Sequence, residues 1–164
     1  NHGNQPSLHI SWLFNFSGKP WLTQKWTRLI CDEFYGTTGE HGYGYGQDED
    51  QGQLGAWYVL AAMGLFDVQG GVCERPTYQL GSPQFDRIEI DLGGHENAGK
   101  KFVIETENNG PGQYYIQGAT LNGQPLDQCW FYRDALYKGG TLKLQMGAEP
   151  NEQWGATIAP ACPQ

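Results

Sequence analysis

The sequence predicts an α+β chain, with helices over residues 1–70 and an antiparallel, β-sandwich-like region over 71–164. Two observations carry this. Apolar residues recur at helical spacings before Gly70-Gly71 and at alternate positions after it. Tight-turn signals of the hairpin kind, Asn122-Gly123 and Asn109-Gly110-Pro111-Gly112, fall only in the second part. At 164 residues the chain is long enough for one core or two small ones, so composition leaves a single domain and a pair both open.

Pro6 suits the first turn of an opening helix, and Leu8, Trp12, Leu13 and Phe16 follow at helical spacings. Ile10 and Phe14 widen that surface, so the helix should be buried on more than one side. Gly18 supplies its stop and Pro20 prevents it from running on. A second helix is predicted from near Pro20 to before Gly36, because Leu22, Trp26, Leu29 and Ile30 form an i, i+4, i+7, i+8 stripe, which assigns Trp26 to the core. The short link at Gly18-Lys19 makes the two helices an antiparallel hairpin. Residues 36–47 hold five glycines with His41, Tyr43 and Tyr45, and read as a loop. A third helix is predicted from Gln51 to Gly64, with Leu54, Trp57, Tyr58 and Ala61 on one face.

Beyond residue 72 the period becomes two. Ile88, Ile90 and Leu92 alternate with Arg87, Glu89 and Asp91, Phe102 and Ile104 with Val103 and Glu105, and Leu142, Leu144 and Met146 with Lys143 and Gln145. These are half-buried strands. No parallel βαβ unit is legible, so Gly42-x-Gly44-x-Gly46 lacks the context of a phosphate-cradling loop.

Ten Lys plus Arg against eighteen Asp plus Glu give a net charge of -8 spread along the chain, which argues against nucleic acid as a partner. Six Trp, nine Tyr and seven Phe exceed what a disordered tail carries, and suit either a core or a sugar-facing cleft. No apolar run reaches the roughly twenty residues a membrane-spanning helix needs. Cys31, Cys73, Cys129 and Cys162 lack zinc-ligand spacing; one bridge among the three after residue 70, or reduced buried thiols throughout, are both open. The chain opens at Asn1 without an initiating Met, in what reads as a site-bearing loop, which predicts an upstream portion.

The chemically loaded segment is Asp48-Glu49-Asp50, between the glycine-rich loop and the third helix. Crowded like charges and burial raise carboxyl pKa values, whereas helix N-terminal amides favour the ionised form. A carboxylate that stays ionised yet accepts a proton suits a general base. Helix capping is the plainer explanation of acidic residues at this place. An EF-hand fails, because the twelfth position from Asp48 is Val59 and not a bidentate Glu.

The wider pattern resembles glycoside hydrolase family 92. The motifs are Gly3-Asn4-Gln5-Pro6-Ser7, then Leu13 to Gln24, then Gly46-Gln47-Asp48-Glu49-Asp50-Gln51-Gly52 through Tyr58, followed downstream by Leu80 to Asp86, Tyr115-Ile116-Gln117, Ala119 to Gly123 and Gly139-Gly140-Thr141-Leu142. The resemblance implies a calcium-dependent, inverting exo-α-mannosidase built on an (α/α)6-type barrel of paired helices flanked by β-sandwich regions. Residues 1–70 would be C-terminal helices of that barrel and 71–164 the C-terminal β region. Asp48 and Asp50 fall on the family's pair of aspartates that orient and deprotonate the attacking water. The proton-donating Glu belongs to a segment upstream of Asn1, and the calcium ligands are left unassigned. Asn4, Gln5 and His9 are the candidates to border the sugar. Where many relatives have Glu after Gly-Asn, Gln5 removes a negative charge, with consequences for substrate choice or calcium affinity.

The implied substrate is a glycan with α-linked mannose, α-1,2 foremost, and the implied location of the parent protein is secreted, periplasmic or cell-surface. The alternative is a carbohydrate-binding or structural β module without chemistry of its own. Three helices cannot close a ring of helix hairpins, so their apolar faces need the missing N-terminal part, the β half or a second copy of the chain as cover. The fragment alone is accordingly expected to be inactive and to self-associate.

Overall fold

A computed structural model of the chain describes residues 2–35, 52–94 and 99–160. The first predicted helix exists, but it is wound as a short 3-10 turn, Gln5–Ser7, and a longer 3-10 helix, Ile10–Ser17. Gly18 closes it in the left-handed region, φ 70°, as its stop role requires. Pro20 then opens α1, Pro20–Glu33, at the first turn where a missing N–H costs nothing. The third predicted helix is α2, Gln53–Ala62, and Gly64, φ 73°, ends it. A Cβ on Gly64 would stand 2.6 Å from the Pro83 ring, so glycine serves both the backbone turn and the close packing.

The strands are β1 (Leu65–Phe66), β2 (Thr77–Leu80), β3 (Arg87–Asp91), β4 (Lys101–Glu107), β5 (Tyr115–Leu121), β6 (Gln124–Pro125), β7 (Trp130–Tyr132) and β8 (Gly140–Gly147), with the short α3 (Arg133–Tyr137) before β8. They form an antiparallel sheet ordered β1-β2-β7 and a larger one ordered β3-β4-β8-β5-β6. The expectation of a purely antiparallel region needs correction, because β4 and β8 run parallel, from Phe102 opposite Gly140 to Glu107 opposite Gln145. Residues 108–139 form the long crossover that such a pair requires. Alternation reports which face of a strand is buried; it carries nothing about strand direction.

The sheet core is apolar: Phe102, Ile104, Ile116 and Leu142 are fully buried, and Leu144, Met146, Phe131 and Leu80 join them. The asparagine-glycine signal is realised as the turn between β5 and β6, with Asn122 at φ 52° and Gly123 at φ 77°. A second cluster, Trp12, Cys31, Trp57 and Ala61, lies among the helices. Gly81 lets the two meet, since a Cβ there would fall 2.8 Å from the Trp12 ring. Gly70 and Gly71, where the expected boundary between halves falls, make a turn between β1 and β2, which pair in one sheet.

Helix α1 inverts the expectation for its faces. Its buried residues are Pro20, Thr23, Gln24, Thr27, Arg28 and Cys31, whereas Leu22, Leu29 and Ile30 are only half-buried and Trp26 is 45% exposed. Within this chain Trp26 is therefore outside the core. The β half offers backbone groups that want partners, and it docks on the face of α1 whose side chains can hydrogen-bond. Gln24 Oε1 accepts the N–H of Ile116 at 2.9 Å, and Asn15 of the 3-10 helix donates to Leu80 O at 3.0 Å.

Candidate functional site

Asp48 and Asp50 lie outside the described residues, as do the Tyr43 and Tyr45 of the glycine-rich loop. What is described is the frame on either side of them. Gly52, at φ 86°, opens α2, and its carbonyl accepts the first intrahelical bond from Ala56 N at 2.9 Å. One and a half turns on, Trp57 is 1% exposed and donates its indole N–H to Leu8 O at 2.7 Å. That bond fastens the segment 2–9 to the helix that follows the acidic triplet. Sequence reasoning placed Trp57 on the apolar face of this helix, and the burial bears that out.

Rings complete the fastening. His2 is tilted onto Trp57 with centroids 4.1 Å apart and meets Phe34 and Tyr35 edge-on at 5.1 and 5.5 Å. Tyr35 stacks on Trp57 at 5.5 Å and 13°, and its hydroxyl lies 2.8 Å from His2 Nε2. Burial among these rings holds the His2 imidazole down at about 4, so it is neutral at ordinary pH. This cluster was missed at the level of sequence. Phe34-Tyr35 at the end of a helix, directly before a glycine-rich loop, was the signal available.

Asn4, Gln5 and His9 are all exposed on the same segment. Asn4 and His9 precede the two 3-10 helices, yet neither side chain makes a capping bond; their carbonyls accept from Ser7 N at 2.9 Å and Trp12 N at 3.0 Å. Side-chain capping is thus not what Asn4 and His9 do. Asn4, Gln5 and His9 share the segment that Leu8 O and His2 fasten to Trp57.

A polar chain holds α1, α2 and the loop after β2 in fixed relation. Arg28, 6% exposed, donates through Nη1 to Pro83 O, to Asn109 Oδ1 at 3.2 Å and to Ser82 Oγ at 3.3 Å. Its Nε stands 3.8 Å from Asp32, whose other oxygen accepts from Gln84 Nε2 at 2.9 Å, and Gln84 Oε1 accepts from the Tyr58 hydroxyl at 3.1 Å. Burial, then the neighbouring Cys31 and Asp32, raise the Tyr58 pKa, so the phenol remains a donor. Cys31 is pushed up to about 12 by burial first and Asp32 second, which leaves a thiol and not a nucleophile.

Cys31 and Cys129 are buried free thiols and Cys73 is disulfide-bonded, so both readings of the cysteines hold in part. Cys162 lies outside the described residues. Among the described residues no group of three or more His, Cys, Asp and Glu side chains is arranged to hold a metal ion.

Residues 1–148 match the family model described as the glycosyl hydrolase family 92 catalytic domain. An uncharacterized secreted glycosidase of Arthroderma benhamiae is 31% identical over 157 residues, covering 93% of this chain and 19% of that protein. Among solved structures, a family GH92 alpha-mannosidase from Bacteroides thetaiotaomicron superimposes with a TM-score of 0.83 at 31% identity, over 95% of this chain and 20% of that one. A family GH92 inverting mannosidase from Bacteroides thetaiotaomicron VPI-5482 gives 0.81 at 39% identity, again over 95% and 20%. The chain spans about a fifth of the length of these relatives.

Proposed function

This chain belongs to glycosyl hydrolase family 92, and from that membership we propose that it is part of an inverting exo-α-mannosidase, with Asp48 and Asp50 as its general-base pair. The observation that carries the reading is the family match over residues 1–148, which includes the acidic triplet and the helix that follows it. An inverting hydrolase keeps its acid and base carboxyls roughly 6.5–9.5 Å apart so that a water fits between base and sugar. Asp48 and Asp50, two residues apart, act together on that water; the acid is a Glu from the remainder of the polypeptide. The amides that open α2 are unpaired within the helix and favour ionised carboxylates just before it, as a base requires. Asn4, Gln5 and His9 border the sugar, and the Trp57 cluster fixes their segment.

The test is Asp50→Asn in the full-length enzyme. General-base catalysis contributes about 10²–10⁴-fold, so turnover of an α-mannoside should fall by that factor while the circular dichroism spectrum is retained. Near-normal turnover would sink the assignment. Calcium, with ligands drawn from outside the described residues, belongs to the same proposal; a chelator should remove activity and added Ca²⁺ should restore it.

Residues 1–70 contribute helices to an (α/α)6-type catalytic domain in this reading. Support comes from a groove of about 330 Å³ between the 3-10 helix and α1, lined by Ile10, Phe14, Trp26 and Ile30, which further helices of a longer polypeptide would cover. The disulfide at Cys73 supports an oxidising, secreted or periplasmic setting, in keeping with the description of the fungal relative as secreted. Among the described residues no helix is long and apolar enough to cross a membrane.

A further inference from the structure

The larger cleft of the β half is built from none of the residues discussed above. It has a volume of about 570 Å³ and is lined by Glu74, Arg75 and Pro76 on one side and Arg133, Asp134 and Tyr137 of α3 on the other. That is ample for a small ligand, and the lining combines a flat ring with convergent polar groups.

Its walls are fixed in advance. The Arg75 guanidinium lies 3.6 Å over the ring of Tyr132 and bonds Asp134 Oδ2 at 3.1 Å. Lys138 reaches the same carboxylate at 3.3 Å. Burial opposes ionisation of Asp134, but the bonds from Arg75 and Lys138 outweigh it and hold the carboxyl below its usual range. Arg133 forms an ion pair with Asp67 at 3.6 Å, beyond hydrogen-bond reach, and its backbone N–H donates to Pro76 O at 2.8 Å. Tyr137 is 48% exposed. The disulfide at Cys73 ties the segment before Glu74. A site whose side chains are already ordered loses little entropy when a ligand arrives.

The chemistry of the lining selects the ligand class. Two carboxylates face two guanidiniums, and the outer partners, Asp67 and Lys138, cancel as well. A balanced lining favours neither anions nor cations. It does offer charged acceptors and planar charged donors at close spacing, which suit vicinal hydroxyls, beside a half-exposed tyrosine whose electron-rich face suits the C–H face of a pyranose ring. We propose that this cleft is a saccharide-binding site taking a neutral polyhydroxylated chain, such as an α-mannan, through Tyr137, Arg75, Asp134 and Glu74. Residues 2–9 are not among its described lining, so it would hold a polymer at a second point of the same chain.

The test is affinity electrophoresis of the full-length enzyme in native gels with and without soluble α-mannan, each mobility being referred to the sugar-free gel. Tyr137→Ala and Arg75→Ala should each weaken retention by the polymer about fivefold or more, with hydrolysis of a small aryl α-mannoside unchanged. Glu74→Gln provides a third, exposed position should Tyr137→Ala lower stability. Retention equal to wild type in Arg75→Ala and Glu74→Gln overturns the proposal, as does no retention of the wild type, or retention only in gels carrying heparin in place of mannan. The two readings separate cleanly: Asp50→Asn addresses hydrolysis with retention intact, and the cleft variants address retention with hydrolysis intact.

Discussion

The sheet core and the helical layer above it differ in what they bury. Phe102, Ile104, Ile116, Leu142 and Leu144 are apolar and at most 1% exposed. The helical layer buries its own apolar cluster of Trp12, Cys31, Trp57 and Ala61, and adds the polar Ser11, Asn15, Thr23, Gln24, Thr27 and Arg28 on the side that meets the sheet and its loops. Several of those groups bond across to the sheet or its loops, and others, including Ser11 Oγ, Trp12 Nε1, Asn15 Oδ1 and Gln24 Nε2, have no hydrogen-bond partner among the described residues. The difference teaches that burial of carbon supplies stability to the β half, while directional bonds fix how the helices sit on it. A hydrogen bond contributes only about 0.5–1.5 kcal/mol net, so the helical layer is accurately placed by contacts of modest individual strength. It should open before the sheet does, with faster amide exchange in α1 than in β4 or β8.

The largest effect that sharpens this contrast is Phe102→Ala. The ring is fully buried and stacks on Phe131 at 5.8 Å, so its loss should cost about 3–5 kcal/mol, read as a fall in the urea midpoint. Arg28→Met comes next. It leaves Pro83 O and Asn109 Oδ1 without their charged donor and should cost about 1.5–3 kcal/mol, detaching α1 while the sheet signals persist. A larger loss from Arg28→Met than from Phe102→Ala would break the contrast. The smallest effect belongs to the exposed ladder on the outer face, where Lys101 and Arg87 both bond Glu89. Those hydrogen bonds, from Lys101 and then Arg87, hold the Glu89 carboxyl at about 2 against an ordinary 4.5. The unfolded chain binds the proton first, so this contribution is complete above pH 4.5 and fades as pH falls towards 2. Glu89→Gln should flatten that slope slightly, and salt should mute it further.

The same contrast explains what was legible in the sequence. Leu142, Leu144 and Met146 announce a buried face because period two maps directly onto a pleated strand, and all three are buried. Ile88 and Ile90 carry the same signal but are only half-buried, because β3 ends the sheet order and is covered from fewer sides. Direction was illegible: nothing local distinguishes a β8 that pairs β4 in parallel from one that does not. In α1 the apolar stripe was read correctly and assigned wrongly. Periodicity identifies an apolar face, and Trp26 shows that another element must be present to cover it. Of the candidate site, Asn4, Gln5 and His9 were found from motif order, whereas the His2, Tyr35 and Trp57 cluster depends on three separated segments meeting, which no single window contains.

The position of β8 also orders events in time. Among the described residues it follows every other strand of its sheet in sequence, yet it is the central one, flanked by β4 and β5. Until residue 147 has left the ribosome, β4 and β5 each present an open edge with unpaired backbone groups and an uncovered apolar face. A nascent chain stalled before Gly140 would therefore be a sticky intermediate in need of a chaperone, and this eight-residue strand acts as the latch that ends that vulnerable interval.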